Sequence, residues 1–380
     1  MPPLPSLANQ RDELLALART LVECESPSRD KVRCDALADL LGSLLAPLGK
    51  LERFANPLGG DHLCLRLPAP HAPTDARPAL LLCHYDTVWP AGILTTRPLR
   101  IEGDTVFGPG IYDMKASIAM AILALRAVHN LELQLPRPIH LLITSDEEIG
   151  SLTSRDLIEA EARQAAHVLV LEPPIEEGHL LKTARKGVGI YTLSISGRAA
   201  HAGVEPEKGI NALIELAHQM LAISSLADPS QGTSVSVSYG TGGSNSFNII
   251  PDSANCVVDV RVWSASEAAR LEAAFANVQP VLPGATLSVG GGFNRPPMEA
   301  IPASRELCAR AQALGSELGL SLGAGATGGA SDGNFTAAMG IATLDGLGAP
   351  GLGAHALHEQ IDLPATMVRA DLLLALISRI

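Results

Sequence analysis

Aromatic residues are scarce, at 3% of the 380-residue chain. That is too few to build a stacking platform for single-stranded nucleic acid. Positive charge is also in deficit: 28 Lys and Arg against 40 Asp and Glu leave a formal charge of -12 at pH 7. Such a balance argues against DNA or RNA as partner. Charges interrupt every long apolar run, so no membrane-spanning helix and no membrane partner are expected. The opening MPPLPSLANQRDELLALARTL has no basic-then-apolar layout of a signal peptide. Cys24, Cys34, Cys64, Cys83, Cys256 and Cys308 are scattered through apolar segments, and none forms a C-x-x-C pair. Buried free thiols are expected, and a cytoplasmic location with them. There is no internal repeat and no low-complexity tract.

What remains is a globular composition, 47% hydrophobic and 18% charged, in a chain too long for one ordinary core and suited to two domains. Apolar spacing predicts helices over 9–22 and 31–47. LCLRLP and ALLLCHY read as strands, KASIAMAILALRAVHN as an apolar helix, PIHLLITSDEE and AHVLVLEP as buried strands, and SRDLIEAEAR as a helix. Continuous apolar strands alternating with helices predict an α/β fold, a mostly parallel sheet covered on both faces. From about Gly187 the pattern changes to strand, helix, strand, strand, helix, strand, the ferredoxin-like order. It occupies 187–291 as an insertion, leaving 1–186 and 292–380 as one discontinuous domain.

Five metal-type ligands stand where strands end or glycine-rich turns begin: His84 in LLLCHYDT, Asp113 in GPGIYDMK, Glu148 in ITSDEEIG, Glu172 in LVLEPP and His355 in GAHALHE. In parallel sheets, ligands gather beyond the carboxyl ends of strands. Two histidines and three carboxylates suit a pair of zinc ions, which activate water and polarise a carbonyl. Asp86, two residues after His84, points the same way on an extended chain and can hold the imidazole. Of the adjacent Glu147 and Glu148, one can ligate a metal while its neighbour serves as general base. Singly, most of these residues also have a plain structural reading. Asp113 could cap a helix, the Asp146–Glu148 run could be an exposed acidic turn, and either His355 or His358 could be the last ligand. Glu172 is the exception, since a carboxylate at the end of a buried strand is costly unless paired or coordinated.

Together, CHYDTVWP, GPGIYDMKAS, TSDEEIGS, LEPP, KGVG, GRAAHAGVEPEKGINA, NSFNIIPDSANCVVDVRVW, RPPME, TGGASDGNF and GLGAHALHE resemble, in order and over nearly the whole chain, the M20 family of zinc peptidases. The style is nearest to its glutamate carboxypeptidases. The resemblance implies an αβα catalytic domain with an inserted ferredoxin-like lid that also forms a homodimer. It implies two Zn2+, with Co2+ or Mn2+ able to substitute. His84 and Glu172 would hold one ion, Glu148 and His355 the other, and Asp113 would bridge them, followed by a cis peptide at Asp113–Met114. The H-x-x-x-E spacing from His355 to Glu359 favours His355 over His358, although His358 itself departs from the usual family pattern. Asp86 would orient His84, Glu147 would be the general base, and His201 would reach across the dimer to the oxyanion. Asn248, Arg261, Arg295 and the backbone of Gly328 and Gly329 would meet the substrate, an arginine suiting a carboxylate.

The expected activity is hydrolysis of an amide next to a free carboxylate, in a small peptide or N-acyl amino acid, releasing a C-terminal amino acid such as glutamate. Glutamate at position 172 is shared by carboxypeptidase and desuccinylase members. A deacylase or desuccinylase of the same family is therefore the nearest alternative; a dipeptidase, whose family members often carry aspartate at that position, is less favoured, and a non-catalytic metal-bound binder of peptides is the remote reading.

Overall fold

The computed structural model describes residues 6–243 and 246–380. The chain divides into two compact units: Met1–Ala184 with Ala300–Thr327 and Ser331–Ile380, and Arg185–Glu299 with Gly328–Ala330.

The larger unit is built on a six-stranded sheet. In spatial order its strands are Lys50–Phe54, His62–Leu67, Ile139–Thr144, Ala79–His84, His167–Val170 and Thr343–Leu344. The last four run parallel to one another, and the first two are antiparallel additions at one edge. The central strands are apolar throughout because both faces are covered. Leu81 and Cys83 join the core formed with helices Arg11–Glu23, Lys31–Leu45, Ala116–Asn130, Pro302–Glu317 and Leu363–Arg379. Leu80 and Leu82 face the opposite way, onto helix Arg155–Gln164 and Phe335. This is the αβα sandwich that the apolar runs predict. Helix Ala116–Asn130 is apolar on every side because it is buried on nearly every side, with Ile118 to Leu125 fully enclosed.

The smaller unit is a four-stranded antiparallel sheet. Its spatial order is Ser234–Gly242, Ser253–Val262, Gly187–Ser196 and Thr286–Arg295. Helices Ala212–Ser224 and Ala265–Ala276 complete the ferredoxin-like arrangement. Burial alternates along Gly187–Ser196, as period-two patterning requires. Tyr191, Leu193 and Ile195 point into a core with Val258, Val260, Leu216 and Leu271. Tyr191 stacks on Phe275 with ring centroids 3.8 Å apart. Ser264 caps the second helix by accepting the Glu267 amide, an S-x-x-E start.

Some elements lie outside the sequence reading. Lys50–Phe54 carries three charges in five residues and sits half-exposed at the sheet edge, so it lacks the apolar signature. The C-terminal helix Leu363–Arg379 and a small sheet joining Arg100–Glu102, Thr105–Phe107, Gly351–Leu352 and Gln360–Asp362 also come from the structure alone. All six cysteines are free thiols. Among the described residues, no helix is long and apolar enough to cross a membrane.

Candidate metal centre

Three of the parallel strands end on the same side of the sheet and deliver the site. Ala79–His84 ends in His84, Ile139–Thr144 runs on to Glu147 and Glu148, and His167–Val170 runs on to Glu172. The turn Gly110–Asp113 and the loop Gly353–Glu359 supply Asp113 and His355. Gly110 has φ +71° and Gly353 φ +84°, backbone that glycine adopts without penalty. His355 itself lies at φ +62°.

The five expected ligands converge. His84 Nε2 is 3.1 Å from Asp113 Oδ1 and 3.4 Å from Glu172 Oε1. His355 Nε2 is 3.3 Å from Asp113 Oδ2 and 3.1 Å from Glu148 Oε1. Two ligand groups result, His84–Asp113–Glu172 and Asp113–Glu148–His355, each with its donor atoms within 4.8 Å of one another. Asp113 belongs to both, offering one oxygen to each. The Asp113–Met114 peptide is cis.

Asp86 is fully buried beneath this cluster. His84 Nδ1 lies 3.1 Å from its carbonyl oxygen and 3.4 Å from Oδ1. The same carboxylate accepts the amides of Glu147 at 3.2 Å and Glu148 at 3.3 Å. One residue, through its main-chain and side-chain oxygens, thus sets the ring of one ligand and the backbone of another.

The acidic run is not an exposed turn. Asp146 is buried and accepts hydrogen bonds from Thr153 and Ser154. Asp332, in the SDG that follows TGGA, is buried and accepts from Thr144 at 3.2 Å and from Ser151. Glu359 is buried as well, accepting from Trp89 Nε1 at 2.7 Å and from the amides of Gly110, Tyr112 and Asp113. Composition marks these acids only as more carboxylates in polar loops; the four-residue spacing of Glu359 from His355 was the one legible signal. Packing behind the site is equally close. A Cβ on Gly348 would stand 2.2 Å from Leu171 O, 2.3 Å from Ser117 Oγ and 2.8 Å from Glu172 O.

The donor set fits divalent cations. In the protein alone, the Glu148 carboxyl is pushed up to about 7, first by burial and then by the Asp113 charge. Burial also opposes ionisation of Asp113, but hydrogen bonds from His355 and His84 hold it below the usual carboxylate range. The His355 imidazole is raised to about 10 by its bonds to Asp113 and Glu148. Burial disfavours charge on His84, yet Asp113, Asp86 and Glu172 raise it. Carboxylates crowded in this way are offset by cations, and the two ligand groups are placed to hold them.

The remaining expected residues lie in the smaller unit. His201 is exposed in a short strand paired with Ile249–Ile250, and its Nδ1 accepts the Gly203 amide at 3.1 Å. Asn248 is exposed, its carbonyl accepting the Ala202 amide. Arg261 makes a two-point pair with Asp259 at 2.8 and 2.9 Å. Arg295 is buried. Gly328 and Gly329 cluster with this unit, Gly329 O accepting from Arg185 at 3.1 Å.

Residues 80–379 match Peptidase family M20/M25/M40. The chain belongs to this family. It is 32% identical over 382 residues to carboxypeptidase G2 of Pseudomonas sp. (strain RS-16), covering 95% of this chain and 90% of that protein. It is 27% identical to a succinyl-diaminopimelate desuccinylase of Dechloromonas aromatica, over 67% of this chain and 69% of the other. An M20 family metallo-carboxypeptidase from Sulfolobus solfataricus shares the fold, with a TM-score of 0.72, 17% identity, and coverage of 97% of this chain and all of that one. This M20 protein is a hydrolase, and its family implies a divalent metal.

Proposed function

We propose that this M20 protein is a two-metal carboxypeptidase that hydrolyses an amide next to a free carboxylate and releases a C-terminal amino acid of the glutamate type. The observation that carries it is Asp113, presenting one oxygen to the His84–Glu172 pair and the other to the Glu148–His355 pair. The likeness to carboxypeptidase G2 over nearly the whole of both chains supports the carboxypeptidase reading. Divalent cations held there, Zn2+ foremost with Co2+ or Mn2+ as substitutes, supply Lewis acidity and a more acidic water.

The chain's own groups do the rest. Glu147, next to a ligand and not one itself, takes the proton of the attacking water and passes it to the leaving nitrogen. Asp86 holds the His84 ring and the Glu147 and Glu148 amides in register. His201 stabilises the oxyanion. Arg295, with Asn248 and the Gly328–Gly329 backbone, receives the substrate carboxylate. Arg261 is the weaker candidate because Asp259 already fills its fork. The unit Arg185–Glu299 acts as lid and as dimer surface. Its helix Ala212–Ser224 exposes Leu213, Ile214 and Leu221, an apolar stripe that suits a second copy. Six unpaired thiols fit a cytoplasmic enzyme.

A desuccinylase or deacylase is the second reading, favoured by the desuccinylase relative. Mass spectrometry of products decides between them. Zinc-loaded enzyme and a chelated control meet N-acyl glutamates, dipeptides, N-acetyl amino acids and succinyl-diaminopimelate. Chelator-sensitive release of glutamate is the expected result. Release of succinate or acetate instead moves the activity to the second reading, and no product on the panel removes both.

A further inference from the structure

Glu359 ties together segments that carry the candidate ligands. Its side chain is fully buried. Oε2 accepts Trp89 Nε1 at 2.7 Å and the Gly110 amide at 2.8 Å. Oε1 accepts the Tyr112 amide at 2.9 Å and the Asp113 amide at 3.2 Å. Both oxygens are saturated by four N–H donors. No Lys or Arg among the described residues forms an ion pair with it. A buried carboxylate is expensive, and it is offset here by neutral donors from segments far apart in sequence. Trp89 follows His84 and Asp86. Gly110, Tyr112 and Asp113 form the turn that ends in the shared carboxylate. Glu359 itself lies four residues beyond His355 in the same loop.

We propose that Glu359 is a positioning residue: it clamps the Gly110–Asp113 turn to the His355 loop and so fixes the orientation of Asp113 toward both ligand groups. The inference rests on the reading of Asp113 as the shared metal ligand. Its consequence is a single joint dependence. Loss of the clamp frees the one residue common to both metal positions, so both weaken together.

Glu359→Gln tests this, because it keeps the size and removes the symmetry of the acceptor. A carboxamide has one accepting oxygen, and its NH2 would face two N–H donors. The measurement is Zn2+ affinity of the metal-free protein by competition with a chromogenic chelator, with the fold followed by circular dichroism. Outer-shell changes of this kind weaken metal binding about 10–100-fold. That loss is expected in E359Q. Trp89→Phe removes one of the four donors and is expected to show a smaller loss. Glu215→Gln is the control for deleting a buried carboxylate. Glu215 accepts the amides of Val281 and Leu282 in the smaller unit, so its variant loses stability with Zn2+ affinity unchanged.

Wild-type Zn2+ affinity in E359Q overturns the inference, as does an equal loss in E359Q and E215Q. If E359Q does not fold, W89F decides: weaker Zn2+ binding in a native fold upholds the clamp, and unchanged binding overturns it. None of these readings uses a substrate. A wild-type protein that binds Zn2+ but cleaves nothing removes the carboxypeptidase proposal and leaves this one standing. A wild-type protein that binds no Zn2+ removes both.

Discussion

At the scale of single residues, the adjacent acids Glu147 and Glu148 have different fates. Glu148 Oε1 meets His355, while Glu147 belongs to neither ligand group. Glu147→Gln is therefore expected to lose about 10²–10⁴-fold in kcat, with metal content by elemental analysis near wild type. Glu148→Gln is expected to lose metal as well as rate. Retention of wild-type kcat by the Glu147 variant would remove the general-base assignment. The residues most legible in the sequence were those placed by strand ends, since a charged group after an apolar run is conspicuous. Asp146, Asp332 and Glu359 were less legible. Each is buried by loops that return from distant positions, and no local pattern records which donors will meet a carboxylate.

At the scale of elements, positions that only pack can move the site. Gly348 has no room for a methyl group between Leu171 O and Ser117 Oγ. Gly348→Ala is expected to displace the end of the His167–Val170 strand and with it Glu172, lowering stability by about 1–3 kcal/mol and weakening Zn2+ binding. Denaturant unfolding and the chelator assay check the two effects, and a variant that loses stability alone would uncouple the strand end from the site. Helix Arg155–Gln164 carries a pH-dependent contribution. Glu161 takes a two-point bond from Arg66 and another from His140. Burial would raise its carboxyl, but His140 and Arg66 hold it down at about 2 against an ordinary 4.5. A depressed carboxyl stabilises the fold above its unfolded pKa, and the gain disappears as pH falls toward the folded value. The difference in unfolding free energy between wild type and Glu161→Gln should accordingly shrink by on the order of 3 kcal/mol from pH 5 to pH 2. A difference independent of pH would contradict the ion-pair account. Apolar helices and central strands were readable from pattern alone because burial on both faces leaves no polar side chain to confuse the period. Lys50–Phe54 was not, since an edge strand can be charged on both sides and still pair.

At the scale of the whole molecule, metal and fold are linked. A cation that binds only the native state stabilises it by about 4 kcal/mol at a free concentration a thousand times its Kd. Thermal unfolding is expected to shift upward with added Zn2+ and downward with chelator, in calorimetric scans at fixed protein concentration. No shift would mean that the crowded carboxylates are satisfied by protons alone. The ferredoxin-like order was visible in sequence, since helix and strand periods alternate cleanly there. The segment Gly328–Ala330, which clusters with that unit from across the chain, was visible only in the fold.

The interruption of the larger unit also has a temporal side. Its last sheet strand, Thr343–Leu344, must find His167–Val170 across the entire insertion. The insertion returns its own ends to each other, Arg185 pairing with Met298 through two backbone hydrogen bonds. Once folded, it acts as a temporary clasp that shortens the chain still to be closed by roughly two-thirds, worth on the order of 1 kcal/mol of closure entropy. An insertion that folds first would thus serve the rest of the protein during synthesis, before any substrate is met. Leu271→Ala, a cavity in its core, should slow refolding of the larger unit several-fold while leaving that unit's own residues unchanged.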